Sequence, residues 1–314
     1  MKSKISKIGL VIALSLSWIS SFAQQDSQYS QYMFTPYTLN PAAVGSDNLA
    51  HIYGGARLHQ VGLDAEGRRT SAGFIFPFNI SKLKNGFGIL VTDDKFAYNK
   101  NLTIRGNYAL QFKLDDKGVN NLGIGFGFGV LNGVVDNSLA KNSNTSLPWI
   151  STGKFTSTSI DLGVGVFFTS SRFYCGISAN HLNSPKIPLD NLTYSLKQTF
   201  YVTSGYMMPI ADSKFSFYPS FLVQTEFVAT QVALSGVFDY NQIFWFGGSY
   251  RIDDAATALV GFKLFKSLQV GYSYDYLLSS LGKYSDGSHE FFLTYSFSLK
   301  RDKTPSRYKS IRFL

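Results

Sequence analysis

In the stretch "NLTIRGNYALQFKL", residues 101–114, apolar and polar side chains change places at every step. Leu102, Ile104, Gly106, Tyr108, Leu110 and Phe112 fall on one side, and Thr103, Arg105, Asn107, Ala109, Gln111 and Lys113 on the other. A period of two is a β-strand with one greasy face and one wet face. The same pattern runs through "LQVGYSYDY" (268–276) and "FFLTYSFSLK" (291–300). In "LGIGFGFGV" (122–130), Leu122, Ile124, Phe126, Phe128 and Val130 alternate with Gly123, Gly125, Gly127 and Gly129. Candidate strands centre near residues 54, 73, 89, 107, 126, 163, 176, 203, 220, 234, 247, 259, 271 and 294. Many reach ten residues, longer than is usual in a soluble sheet and suited to a tilted strand that crosses a bilayer. After residue 23 no run of 18 apolar residues occurs, which argues against membrane-spanning helices.

The gaps between candidate strands alternate in length. Counted from a first strand that starts on the periplasmic side, odd gaps include "LHQVGLDAEGRR", "LNGVVDNSLAKNSNTSLPWISTGK", "HLNSPKIPLDNLTYS" and "YLLSSLGKYSDGSHE". Even gaps are mostly tight, as in "TSS", "ADSK", "DYNQ" and "FKS". Long outer loops, short periplasmic turns and an even strand count are the asymmetry of an outer-membrane barrel. The odd gaps near 225–230 and 253–254 are short exceptions. The 19 Tyr, 28 Phe and 3 Trp fit the aromatic girdles of such a barrel. A secreted β-sandwich is the alternative, but it would leave many Phe, Leu and Ile facing water. The expected fold is therefore all-β: a transmembrane antiparallel β-barrel of about 14 strands with a short amino-terminal plug-like segment.

The chain opens "MKSKISKIGLVIALSLSWISSFAQQ", with Lys2, Lys4 and Lys7, an apolar run and Ser21-Phe22-Ala23. This is the layout of a signal peptide over 1–23, cut after Ala23, with a retained membrane anchor as the alternative. Loss of three lysines takes the net charge from +9 to +6. Cys175 is the only cysteine, so no disulfide staples the exported chain. The expected divisions are an amino-terminal periplasmic or plug segment over 24–47, the barrel over 48–300 and a basic periplasmic tail over 301–314. Both termini are expected on the periplasmic side.

Chemistry is hard to find. His51, His59, His181 and His289 have no metal-ligand spacing and read as interface or loop residues. No G-x-S-x-G elbow accompanies the serines. Asp93-Asp94, Asp115-Asp116 and Asp253-Asp254 read as solvated turns. The expectation is a protein that is not an enzyme and uses neither metal nor cofactor. Arg105, Lys113 and Lys263, on wet faces, are candidates to line a lumen. The glycine face at 123–129 leaves wall without side chains, against which another segment can pack. The tail "RDKTPSRYKSIRFL" carries Arg301, Lys303, Arg307, Lys309 and Arg312, a candidate contact for peptidoglycan, anionic head groups or an acidic partner. Nucleic acid has no place in this compartment.

Directly behind the signal stands "QYSQYMFTPYTLNPAAVGS", residues 28–46. Pro36 and Pro41 forbid an ordinary central strand, and Tyr29, Tyr32, Phe34 and Tyr37 are costly to leave in water. The segment is expected to tuck into or beneath the barrel with its rings against the glycine wall, closing the lumen from the periplasmic side. It also resembles the amino-terminal signature of the PorP/SprF family of Bacteroidota. The matching residues are Gln28, Tyr29, Gln31, Tyr32, Met33, Phe34 and Pro36, then Asn40, Pro41, Ala42 and Gly45, while Thr35 stands where Asn is common. "GFGILVTDDKF", "YALQFKL" and "GYSYDYLLSSLGKYSDGSHEFFLTYSF" resemble later hairpins of the family. The resemblance implies an integral outer-membrane barrel of the type IX secretion system, an accessory or anchoring part in export or surface retention of cargo proteins, tied to gliding motility machinery in gliding species. Its implied partners are outer-membrane lipid, periplasmic ring or peptidoglycan-associated components, and the cargo. Gln28, Tyr29, Gln31, Tyr32, Phe34, Pro36, Asn40, Pro41 and Gly45 are the candidate plug or partner contacts. The alternative function is a channel or transporter for a small or hydrophobic solute.

Overall fold

The computed structural model describes residues 28–299, apart from 64, 65, 82, 117, 137–152, 190, 191 and 266. The expected signal peptide and basic tail, with Arg301, Lys303, Arg307, Lys309 and Arg312, lie outside the described residues. The strands are β1 (Ala50–His59), β2 (Gly67–Ile80), β3 (Leu83–Phe96), β4 (Asn99–Lys113), β5 (Asn121–Asp136), β6 (Lys154–Thr169), β7 (Phe173–Asn180), β8 (Lys186–Leu189), β9 (Leu192–Ser195), β10 (Thr199–Tyr206), β11 (Met208–Pro209), β12 (Phe215–Thr225), β13 (Thr230–Tyr240), β14 (Phe244–Arg251), β15 (Ala255–Leu264), β16 (Leu268–Leu277) and β17 (Ser288–Phe297). β1 to β7, β10 and β12 to β17 form one antiparallel ring of fourteen. It closes where Ala50 of β1 faces Phe297 of β17, and β10 meets β12 with Phe200 opposite Thr225. Each strand centre expected from the sequence falls within one ring strand.

Closure follows from the solvent. In hydrocarbon every backbone N–H and C=O must be paired within the protein, and a ring of strands has no edge to leave open. The side chains sort accordingly. On β5, Gly123, Gly125, Gly127, Gly129 and Leu131 are buried, whereas Ile124, Phe126 and Phe128 are about half exposed, at 51%, 48% and 50%. Asn107, Gln111, Asp161, Ser273 and Asp275 are buried inside the ring. A soluble protein would place these two sets the other way round. Outward rings cluster toward one end of the barrel, with Phe74, Phe76, Phe78, Phe87 and Tyr108 in one group. Phe238, Phe244, Phe246 and Phe262 form a second group at the same end. This is the girdle expected at a membrane interface.

The two ends of the ring differ. At the turn end the links 80–83, 169–173, 240–244 and 264–268 are tight, and β1 begins and β17 ends there. The opposite, loop end carries the gaps 136–154, 180–199 and 277–288, beside the short links 96–99, 225–230 and 251–255. A strand of about ten residues tilted by about 40° rises roughly 25 Å, the height of the apolar band. β2 to β6 have 14 to 16 residues, so this wall stands above the band on one side. β7, β10 and β14, with 8 residues each, leave the other side low. β6 outruns its neighbour, and only Val164 to Thr169 pair with β7. Beyond that the Asn183 side chain stands in for a strand, accepting from Leu162 N at 3.2 Å and donating to Ile160 O at 2.6 Å. The short β8–β9 hairpin and two-residue β11 were not expected, because pieces of two to four residues carry no readable period.

Phe126→Arg puts a charge at mid-band. It should lower the unfolding free energy by about 2–4 kcal/mol, read from urea midpoints in lipid vesicles. Thr156→Arg, exposed near the loop rim of β6, should cost no more than about 1 kcal/mol.

Candidate functional site

Residues 28–46 touch strands on all sides of the ring, which places them in its lumen. Gln28 Nε2 donates to Gln231 Oε1 of β13 at 2.5 Å, and the Arg69 guanidinium of β2 lies 4.6 Å over the Tyr29 ring. Tyr32 OH sits between Ser220 Oγ of β12 at 3.2 Å and Ser235 Oγ of β13 at 3.1 Å. Phe34 stacks near Trp245 of β14, with centroids 4.8 Å apart, and near Phe292 of β17 at 5.8 Å. Tyr37 meets Tyr53 of β1 edge-on at 5.6 Å, and its hydroxyl reaches Thr294 Oγ1 of β17 at 3.3 Å. Tyr32, Met33, Tyr37, Leu39, Ala42, Ala43 and Val44 are buried and form one apolar cluster with inward residues of the wall. The barrel's interior is thus packed by its own chain.

A charged clasp holds the start of this strap. The Glu290 carboxylate accepts two consecutive backbone N–H groups, from Ser30 at 3.0 Å and Gln31 at 3.1 Å. Arg57 Nη1 donates to Glu290 at 2.8 Å and to Ser30 Oγ at 2.7 Å, while its Nη2 donates to Asp275 at 2.6 Å. Ser30 Oγ in turn donates to Asp275 at 2.9 Å. Arg251 completes the group, 2.9 Å from Asp275 and 2.5 Å from Asp254. Apart from the partly exposed Asp254 these charges are out of water, so their stability depends on keeping every partner in place. Ser30, Arg57, Arg251, Asp275 and Glu290 were not among the candidate residues. The signal was present in β16, where Asp275 stands on the wet face of an otherwise apolar and aromatic alternation.

The Asn-Pro-Ala part of the signature has a geometric reason. Pro36 and Pro41 each open a short 3₁₀ turn, Pro36–Thr38 and Pro41–Ala43, where a missing N–H costs nothing. Asn40 Oδ1 accepts from Ala42 N at 2.9 Å, capping the second turn. Its amide donates to Val166 O of β6 at 3.0 Å and Ile177 O of β7 at 3.3 Å. A capping residue that must also give two donors can be Asn but not Asp or Ser. Gly45 has φ +70, and a Cβ there would strike Gly86 of β3. Lys84 Nζ, next to the turn end of β3, donates to Ser46 O at 3.0 Å.

The glycine wall is occupied, though not by rings. A Cβ at Gly123 would meet Ala42 O, and one at Gly125 would meet Ala42 and Pro41. Backbone of the second 3₁₀ turn takes this place because only a main chain fits so close to a bare sheet. The aromatic side chains point elsewhere, to β1, β12, β13, β14 and β17. Gln28 lies at the loop end and Ser46 at the turn end, so the segment runs the length of the lumen.

Other sequence candidates sort as follows. Arg105 points into the lumen and pairs with Asp161, which also accepts from His181 Nδ1 at 2.8 Å. His59 accepts from Arg57 Nε at 3.0 Å, so His59, at the end of β1, and His181, in the loop directly after β7, both join lumenal networks. Asp94 pairs with Arg69 at 3.0 Å from within β3, so it is no solvated turn residue. Lys263 lines a cavity of about 220 Å³ at the turn end, with Phe34, Tyr37, His51 and Thr294. Lys113 is exposed at the end of β4. Among the described residues no group of three His, Cys, Asp or Glu could hold a metal ion.

A closed antiparallel ring with an apolar outer band and a polar, packed lumen is an integral outer-membrane β-barrel. The chain belongs to the PorP/SprF family: the profile of the type IX secretion system membrane protein PorP/SprF matches residues 21–295. It is accordingly a membrane component of that secretion system. The fold is similar to that of CymD, a monoaromatic hydrocarbon channel, with 11% identity over 90% of this chain and 96% of that one and a TM-score of 0.50. The Pseudomonas putida toluene transporter TodX matches with 9% identity over 84% and 93% of the chains and a TM-score of 0.48. Acinetobacter baumannii Omp33 matches with 7% identity over 81% and 99% and a TM-score of 0.42. No curated protein sequence matches the chain.

Arg57→Ala leaves two buried carboxylates short of their main cation. It should destabilise the folded barrel by about 3–5 kcal/mol, measured as a lower urea midpoint in detergent or vesicles. Asn40→Asp keeps the cap but removes both amide donors, and should cost about 1–3 kcal/mol in the same assay.

Proposed function

We propose that this barrel is a strap-filled frame in the outer membrane that supports export or surface anchoring of cargo proteins by the type IX secretion system and carries out no catalysis of its own. The observation that carries the reading is the packed lumen: residues 28–46 make hydrogen bonds or ring contacts with β1, β4, β6, β7, β12, β13, β14, β16 and β17. A pore filled in this way suits a protein that holds others in place better than one that conducts. In this reading the strap acts as a plug. The tall wall of β2 to β6 and the long loops meet cargo on the outside, and the turn end faces the periplasm. The basic tail, with Arg301, Lys303, Arg307, Lys309 and Arg312, engages periplasmic ring or peptidoglycan-associated components.

The second reading, a channel or transporter for a small or hydrophobic solute, draws on the fold it shares with a hydrocarbon channel. That likeness reaches the architecture alone, and the filled lumen speaks against it. Two experiments separate the readings. Deleting the gene should stop secretion or surface display of cargo while its synthesis continues, and normal display in the deletion strain contradicts the proposal. In planar bilayers the intact protein should show little conductance, and a variant lacking residues 28–44 should conduct strongly. Steady conductance of the intact protein favours the channel.

A further inference from the structure

We infer that the processed chain opens its amino terminus on the long-loop face of the barrel, opposite the end at which the last strand finishes. The strap descends the lumen level by level. Gln28 is bonded to Gln231, one residue from the loop end of β13. Tyr29 lies under Arg69, and Ser30 binds Arg57, Asp275 and Glu290, each of these four wall residues two from the loop end of its strand. Tyr32 is at mid-height, between Ser220 and Ser235. Tyr37 reaches Thr294, three residues from the turn end of β17, and Ser46 O accepts from Lys84, one residue from the turn end of β3. Ala50 then begins β1 at the turn end.

The path back is closed on two counts. Below Gln28 the lumen holds the buried Tyr32, Leu39, Ala42 and Val44, packed against inward residues of the wall. With cleavage after Ala23, four residues precede Gln28. Four extended residues reach at most about 14 Å, against roughly 25 Å of barrel. The low side of the rim, where β12 to β15 end in short links, offers the exit. The chain is therefore threaded: amino end at the loop face, carboxyl end at the turn face, with the clasp at Ser30 fixing the thread at its upper end.

The test uses single cysteines in a Cys175→Ser background of the full-length protein. Asp26→Cys reports the amino end, Ser143→Cys the long loop and Lys303→Cys the tail. Intact cells are treated with a membrane-impermeant maleimide, then permeabilised and treated again. The inference expects Asp26→Cys and Ser143→Cys to label alike before permeabilisation and Lys303→Cys only after it. Labelling of Asp26→Cys together with Lys303→Cys overturns it, as does failure to label in either state, since an open terminus is accessible. If the whole barrel sits the other way round, all three sites invert, yet Asp26→Cys still pairs with Ser143→Cys. An epitope inserted between Gln25 and Asp26 gives a second reading that avoids thiol chemistry. Antibody binding in the same state in which Ser143→Cys labels supports the inference, and binding in the state in which Lys303→Cys labels overturns it.

Discussion

Lipid outside the ring dictates what must happen inside it. Because hydrocarbon accepts only apolar side chains and no open backbone, each strand sends its Phe, Ile, Val and Leu outward and its Asn, Ser, Thr, Asp and Arg inward. Fourteen strands then enclose a space walled by polar groups, and those groups need partners. Here the partners come from the chain itself. Carbonyls of Leu39, Ala42 and Val44 accept from Ser178, Asn180 and Gln111, and the N–H groups of Ser30 and Gln31 bind Glu290. The strap serves as the core that a barrel otherwise lacks.

This core explains features that look unrelated in the sequence. Bare glycine on β5, β6 and β7 makes room for Pro41, Ala42 and Asn40. Two prolines set 3₁₀ turns that hold a non-strand path in a space surrounded by strands. Tyrosines bring both area and a hydroxyl, filling space while reaching a serine or threonine on the wall. The charged clasp sits near the loop end of the lumen, and its five charged groups are tied to one another and to the strap. Losing the strap would leave Glu290 without two of its donors.

Much of this was legible in the sequence. Alternation in β4, β5, β16 and β17 gave the right faces, and fourteen strand positions hold because each is long enough to show its period. The signature residues from Gln28 to Gly45 were marked by their prolines and rings. What could not be read was which wall each ring would meet, since that depends on the closure of the ring and on strand stagger. The glycine face invited rings but received backbone, because the approach there is too close for a side chain. The strap's path along the lumen could not be read for a related reason. A segment that precedes β1 has to end near Ala50, but nothing local says whether it arrives from the same side or through the lumen. His59 and His181 were read as peripheral because their partners, Arg57, Arg105 and Asp161, assemble only when the ring closes.

The central claim is that residues 28–46 are a fixed part of the folded barrel. Amide hydrogen exchange in the intact, detergent-solubilised protein tests it most directly. Backbone N–H groups of Ser30, Gln31 and Ala42 should exchange as slowly as those of ring strands, because freeing them requires global opening. Exchange of these three amides at the rate of an unstructured peptide, while the strands stay protected, would contradict the account.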